Sequence, residues 1–149
     1  MRLGATSTTG DPEGEITEVA SHQPDKVEIL KAFKNFIGEI EQTPPAYSAI
    51  KVDGQRAYKL ARAGQQVEIK PRKIKINSLK LTNYNYPEIK FIADVSSGTY
   101  IRTLVEDIGQ QLSCGAFTQQ LCRTHIGRYK LKEATKITNK NIDTINLIV

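Results

Sequence analysis

The opening stretch of the chain limits its fold more than any other feature. Arg2-Leu3-Gly4-Ala5-Thr6-Ser7-Thr8-Thr9 is rich in threonine and serine and reads as a short strand. It runs into Gly10-Asp11-Pro12-Glu13-Gly14, a cluster of turn formers. The backbone N–H and C=O groups of a strand need partners, and a strand that begins at residue 2 has almost none before it. Its neighbours must come from later in the sequence, or from a segment outside this chain.

The later sequence supplies candidates. Asp25 is a good N-cap residue with Glu28 three positions on, the pattern of a capping box. Ile29, Leu30, Phe33, Phe36 and Ile37 recur at helical spacing and predict one apolar stripe, closed by Gly38. That helix reads as a core element without chemistry. Pro44-Pro45 breaks the chain, and residues 47–52 read as extended before an Asp53-Gly54 turn. Residues 55–63 predict a cationic, weakly apolar helix closed by Gly64, part of a surface excursion of the kind that often binds.

Two strands are predicted near 74–81 and 89–95, joined by Asn83-Tyr84-Asn85-Tyr86-Pro87. Residues 100–112 predict a helix with Leu104, Ile108 and Leu112 on its apolar face. A further strand is expected near 118–126, and a last short helix within 137–148. There are no internal repeats, and 149 residues suit one domain with a single core. The order of elements predicts an α+β fold, with a mixed, largely antiparallel sheet and flanking helices.

Charge is distributed unevenly. The net charge is +5, yet residues 44–80 hold nine basic side chains against only Asp53 and Glu68, a net of +7, leaving −2 for the rest. The nine are Lys51, Arg56, Lys59, Arg62, Lys70, Arg72, Lys73, Lys75 and Lys80. A solvated lysine-rich face is the ordinary explanation for such a run. Here Tyr47 and Tyr58 are interleaved with the cations. Tyrosine faces can stack on unpaired bases while cations neutralise phosphates, so nucleic acid is the favoured partner.

The remaining composition excludes other classes. Cys114 and Cys122 are too few for a disulfide framework, and His22 and His125 have no second ligand at metal spacing. They read as buried or incidental thiols, with no metal. No apolar run approaches the roughly 20 residues a membrane helix needs. MRLGATSTTGDPEGE lacks the apolar stretch of a signal peptide, so a cytoplasmic protein is expected.

Four stretches in register carry a resemblance. Gly98-Thr99-Tyr100-Ile101-Arg102-Thr103 resembles the pseudouridine-synthase motif that lines the uridine pocket. Pro45-Ala46-Tyr47-Ser48-Ala49-Ile50-Lys51-Val52-Asp53-Gly54 resembles the segment that leads into the RNA-gripping thumb of TruB enzymes. Arg2-Leu3-Gly4 through Thr9-Gly10-Asp11-Pro12-Glu13-Gly14 resembles the strand and acidic turn just after their catalytic centre. Cys114-Gly115-Ala116 followed by Leu121-Cys122-Arg123-Thr124 resembles the family's last pocket motif. The chain is thus similar, over nearly all its length, to the carboxy-terminal part of the catalytic domain of TruB-type tRNA pseudouridine synthases.

The resemblance implies isomerisation of a uridine in the T-loop of tRNA, usually position 55, without metal or organic cofactor. The N-glycosidic bond is broken, the base turned, and the bond remade through C5. The base must first leave its stack, at a cost of a few kcal/mol. Arg102 corresponds to the arginine that pairs with the catalytic aspartate, a role suited to its fixed fork of donors. Tyr100 corresponds to the tyrosine that meets the flipped uracil, and Leu121 to the aliphatic pocket wall. Tyr47, Lys51, Arg56, Tyr58, Lys59 and Arg62 fall in the thumb excursion of about 44–73 and, with Arg123, are the expected RNA contacts. Without the resemblance, Tyr100 and Arg102 would read as an amphipathic helix start with a surface arginine. Spaced i and i+2, they share a cleft only if the turn before the helix is extended.

The family's nucleophile lies in a Gly-Thr-Leu-Asp-Pro-type segment, and neither that segment nor the stacking tyrosine beyond it occurs in this sequence. Asp11-Pro12 belongs instead to the acidic turn. The expectation is a monomeric piece that binds the T-arm stem-loop, is inactive alone and carries no complete additional RNA-binding domain. Arg102 without its carboxylate would be a costly, partly buried cation unless something compensates it. A bound anion or a disordered side chain is expected there, rather than pairing with Glu106 or Asp107. The alternatives are a stand-alone RNA-binding module or a structural protein of an RNA particle.

Overall fold

The computed structural model describes residues 1–19, 22–52, 54–65 and 68–135. The strands in chain order are β1 (Arg2–Leu3), β2 (Ala5–Ser7), β3 (Ile16–Glu18), β4 (Gly38–Gln42), β5 (Lys51–Val52), β6 (Gln55–Arg56), β7 (Arg72–Asn85), β8 (Glu88–Val95), β9 (Ala116–Phe117), β10 (His125–Ile126) and β11 (Tyr129–Lys130). Three α-helices accompany them: α1 (Lys26–Phe36), α2 (Ala57–Arg62) and α3 (Ile101–Gln111). Five strands form the main sheet in the order β4-β7-β8-β1-β9. The α+β reading stands, and among the described residues every pairing in that sheet is antiparallel.

The opening strand finds its partners where long-range pairing required. Arg2 lies opposite Glu88 of β8 on one side and opposite Phe117 of β9 on the other. The centre of the sheet is the β7–β8 hairpin, whose register runs from Ile76 opposite Val95 to Asn85 opposite Glu88. Bulges between Ile76 and Ser78 and between Leu81 and Asn83 interrupt it, raising the local twist.

Both long helices lie against this sheet. The capping box of α1 is complete: the Glu28 N–H donates to Asp25 Oδ1, and the Asp25 N–H donates to Glu28 Oε2, each at 2.8 Å. Its buried residues are Ile29, Ala32 and Phe33. Phe33 meets Phe91 of β8 with ring centroids 5.3 Å apart. Leu30 and Ile37, expected in the stripe, are exposed. Ile37 is the C-cap, with an extended backbone, and so no longer follows the helical stripe.

In α3, Leu104, Val105, Ile108 and Gly109 are buried, and the first three join Leu3, Ile29, Phe33, Ile76 and Ile89 in one core cluster. Gly109 has a packing reason: a Cβ there would collide with the backbone N of Ala116 in β9. The helix and the strand can approach so closely only across a glycine.

Three expectations need correction. Residues 38–42 form a strand, β4, that pairs with β7 from Gly38 opposite Ile76 to Gln42 opposite Arg72. Its sequence, Gly-Glu-Ile-Glu-Gln, has too few apolar residues to announce itself. Within 47–52 only Lys51–Val52 is a strand. The strand expected near 118–126 is reduced to His125–Ile126, because no strand lies beside residues 118–124 to pair with them. Residues 120–135 are exposed throughout, and β10 pairs only with β11. The helix expected within 137–148 lies outside the described residues.

Candidate functional site

A polar cleft of about 420 Å³ opens between the Thr9–Glu13 turn, the start of α3, the strap of residues 47–49 and α2. Its floor is built around Arg102, the second residue of α3. Arg102 Nη1 donates to Asp11 Oδ2 at 2.7 Å and to the Thr9 carbonyl at 3.2 Å, while Nη2 donates to the Tyr47 carbonyl at 3.0 Å. One guanidinium thus ties three segments that are far apart in the chain. A planar fork of donors suits this better than a single ammonium would.

The bound anion or disorder expected at Arg102 is therefore corrected: an internal acid, Asp11, compensates it. Asp11 is held firmly by its own turn. Its Oδ1 accepts from Thr9 Oγ1 at 2.6 Å and from the Glu13 N–H at 3.1 Å, and its carbonyl accepts from Ser7 Oγ. Burial alone would raise the Asp11 pKa. The hydrogen bonds from Thr9, Glu13 and Arg102, with the guanidinium's charge, outweigh that and hold it below the usual value.

Two further acids sit on α3 near this pair. Glu106, one turn beyond Arg102, is half-buried, and its pKa is raised by burial first and by Asp107 and Asp11 next, against the opposing charge of Arg102. Asp107 is raised by burial. Gly10 makes room for Glu106, since a Cβ on Gly10 would run into the Glu106 carboxyl. The Gly10 backbone, at φ +72°, also lies in the region that favours glycine.

The other predicted residues divide into two groups. Tyr47, Tyr58 and Arg62 line the cleft with Arg102. The Arg62 guanidinium lies 5.9 Å from the Tyr58 ring centroid, within reach of a cation–π contact. Tyr100, Lys51, Arg56, Lys59, Leu121 and Arg123 do not line it. Tyr100 is the N-cap of α3 with an extended backbone, whereas Arg102 is already helical, so alternation does not carry both into one cleft. Lys51, Lys59 and Arg123 are exposed, and Leu121 is 62 % exposed. Arg56 precedes α2 and donates to the Ala49 carbonyl at 3.3 Å.

Two positioning residues carried no mark in the sequence. Gln42, only 2 % exposed, clamps the peptide before α3: its Nε2 donates to the Tyr100 carbonyl, and its Oε1 accepts from the Tyr100 N–H at 2.8 Å. It ends β4, the strand that sequence patterning did not reveal. Ser48 anchors α2 through its backbone, its carbonyl accepting from the Tyr58 N–H at 3.1 Å while the Ile50 carbonyl accepts from Ala57. A larger, more open cavity of about 520 Å³ lies by Thr124, His125 and Lys130–Lys132 and holds none of the predicted site residues.

Fold and site together define an α+β domain with a basic excursion and a tyrosine-lined cleft around an arginine–carboxylate pair. The N-terminal domain of the TruB family of pseudouridylate synthases matches residues 1–101, and the C-terminal domain of tRNA pseudouridylate synthase B matches residues 102–147. The chain belongs to the TruB family. The two matches meet at the start of α3, a single helix whose inner face joins the common core.

Relatives named tRNA pseudouridine synthase B agree. That of Pseudomonas fluorescens is 43 % identical over 97 % of this chain and 47 % of its own length. That of Burkholderia mallei is 44 % identical over 92 % of this chain and 45 % of its own. The chain spans about half the length of the curated relatives it matches. A chain from a Cbf5-Nop10-Gar1 crystal structure, 29 % identical, covers 64 % of this chain and 24 % of its own with a TM-score of 0.49. Among the described residues, no helix is long and apolar enough to cross a membrane.

Proposed function

We propose that this chain is the RNA-gripping, arginine-bearing part of a cytoplasmic tRNA pseudouridine synthase that isomerises a T-loop uridine, at position 55. The observation that carries the reading is Arg102, fixed 2.7 Å from Asp11 at the floor of a cleft shared with Tyr47, Tyr58 and Arg62. The names of the relatives support the reaction class. In this reading residues 1–149 supply the carboxy-terminal part of the catalytic domain. The 44–73 excursion is its thumb, and the chain acts as a monomer on the T-arm.

Each group then has a task. The exposed cations Lys51, Arg56 and Lys59, with Arg123 beyond α3, neutralise phosphates, while Tyr47 and Tyr58 offer ring faces to unstacked bases. Tyr100 and Leu121 belong to the uridine pocket. Arg102 is the partner of the nucleophilic aspartate, a residue of a segment this sequence does not contain. Asp11 holds the guanidinium oriented until that aspartate is present. The chain by itself then grips RNA and releases nothing.

Tritium release from tRNA labelled at uridine C5 tests this. The chain alone should release none. A protein joining this chain to a Gly-Thr-Leu-Asp-Pro-type segment should turn over, and Arg102→Ala should abolish nearly all of its activity. Full turnover by the Arg102→Ala protein would remove Arg102 from the mechanism.

A further inference from the structure

Beyond the excursion the chain holds a second basic run. No acidic residue occurs between Ser113 and Glu133, while Arg123, Arg128, Lys130 and Lys132 give that stretch a net of +4. With the +7 of residues 44–80 also set apart, the remainder of the chain carries −6. The molecule is therefore acidic except for two islands. In the second, Arg128, Lys130 and Lys132 form no ion pair among the described residues.

The β10–β11 hairpin gives these cations a shape. Its register sets His125 opposite Lys130 and Ile126 opposite Tyr129. Residues directly opposite share one side of a strand pair, and successive residues alternate. One face therefore carries the imidazole and the ammonium, and the other carries the apolar pair. Neither face is covered: all four residues are exposed, and among the described residues β10 and β11 pair only with each other. A two-stranded hairpin standing alone is marginal in water, so this one gains from any partner that seats on it.

A cavity of about 520 Å³ opens on this hairpin, lined by Thr124, His125, Lys130, Leu131 and Lys132. Thr124 Oγ1 and His125 Nδ1 lie 2.9 Å apart, which leaves the ring's Nε2 without a partner among the described residues. The Leu131 N–H donates to the Thr124 carbonyl at 2.8 Å and closes the base of the hairpin. Two ammonium groups, a ring nitrogen and a hydroxyl thus meet, with no carboxylate among the described lining residues. The Arg102 cleft differs, since Asp11 and Glu13 there oppose Arg62 and Arg102. The hairpin's donors fit phosphate oxygens, for which lysine serves as a point charge.

We propose that the β10–β11 hairpin is a second grip on the RNA backbone, separate from the excursion, and that its cavity receives a phosphodiester. The inference rests on the RNA reading above and goes beyond it. A polyanion long enough to lie on the first island meets the second as a tethered ligand, so modest contacts at each multiply into firm binding.

Fluorescence anisotropy of the full chain with a full-length tRNA transcript, across about 50 to 200 mM salt, tests this. Replacing both lysines, Lys130→Gln with Lys132→Gln, should lower the salt slope by about two and weaken binding about tenfold at the lowest salt. Lys51→Gln with Lys59→Gln should lower the slope by about as much, and the two losses should add in the quadruple variant. Lys26→Gln with Lys31→Gln removes the same charge from the exposed side of α1 and should leave the slope alone. The melting temperature should stay level in the Lys130 and Lys132 pair, because both side chains are exposed.

A slope that falls with Lys51 and Lys59 but is kept without Lys130 and Lys132 overturns the second grip alone. So does an equal loss from the α1 pair, which would be an effect of net charge. Calorimetry with inorganic phosphate separates the remaining source: binding through Lys130 and Lys132, while tRNA ignores them, marks a free-anion site and overturns the proposal. If the double variant does not fold, Arg128→Gln carries the test with a slope loss of about one. A wild-type chain that binds tRNA without a salt slope, or not at all, overturns the RNA reading and the grip with it.

Discussion

The two helices that wall the cleft are built in opposite ways. α3 buries Leu104, Val105, Ile108 and Gly109 in the core and carries Arg102 on the turn that faces the cleft. α2 has six residues, buries only Ala57, and carries Tyr58, Lys59 and Arg62. It is fastened chiefly by two backbone hydrogen bonds from its first residues to the Ser48 and Ile50 carbonyls. One wall is fixed by the fold, and the other is hung from a strap. An arm with so little buried apolar surface should open locally at a lower free energy than the floor.

Substitutions in the core should expose this difference most strongly. Leu104→Ala leaves a cavity in the core and should cost about 3 kcal/mol of unfolding free energy, read by urea denaturation. Leu60→Ala, the half-buried leucine of α2, should cost about 1 kcal/mol or less, because little surrounds it. Equal losses at the two sites would break the comparison.

Asp11→Asn should come next. It removes the charge that satisfies Arg102 and should destabilise the chain by about 2 kcal/mol, the range of a hydrogen bond to a charged group. The loss should appear in the stability of the free chain and not in the salt slope of RNA binding, because Asp11 meets no phosphate.

The smallest effect is that of pH, and its sign has two parts. The Asp11 pKa is lowered in the fold, so its stabilisation is complete above the ordinary carboxylate range and is lost as pH falls through the lowered value, below about 4. Glu106 and Asp107 are raised in the fold, so their ionised forms destabilise it above the raised values, and that penalty is relieved as pH falls toward about 4. From these three carboxyls, stability should rise gently on mild acidification and fall below about 4. Glu106→Gln should flatten the rise while leaving the fall, in denaturation followed across pH.

Much of the rigid half was legible in the sequence. The Asp25–Glu28 capping box, the buried face of α3 and two strands over 74–81 and 89–95 follow from local pattern, although the expected connection Asn83–Asn85 is in fact the end of β7, paired with β8. β4 was hidden because its sequence, Gly-Glu-Ile-Glu-Gln, carries charge at two of five positions and its pairing with β7 is decided by tertiary contact. Arg102 was visible through a motif, but its partner was not. Asp11 lies 91 residues away, and only the fold brings the acidic turn to the start of α3. The buried Ser48 hydroxyl, without a hydrogen-bond partner among the described residues, has no sequence signal at all, since it is defined by what it fails to touch.

Hydrogen–deuterium exchange of the chain, free and with a T-arm stem-loop RNA, tests the clamp-and-floor arrangement most directly. In the free chain, α2 and residues 47–50 should exchange far faster than α3. Adding RNA should slow exchange in α2 and in 47–50 while α3 stays as it was. Equal protection of α2 and α3 in the free chain, or RNA-dependent protection confined to β7 and β8, would contradict it.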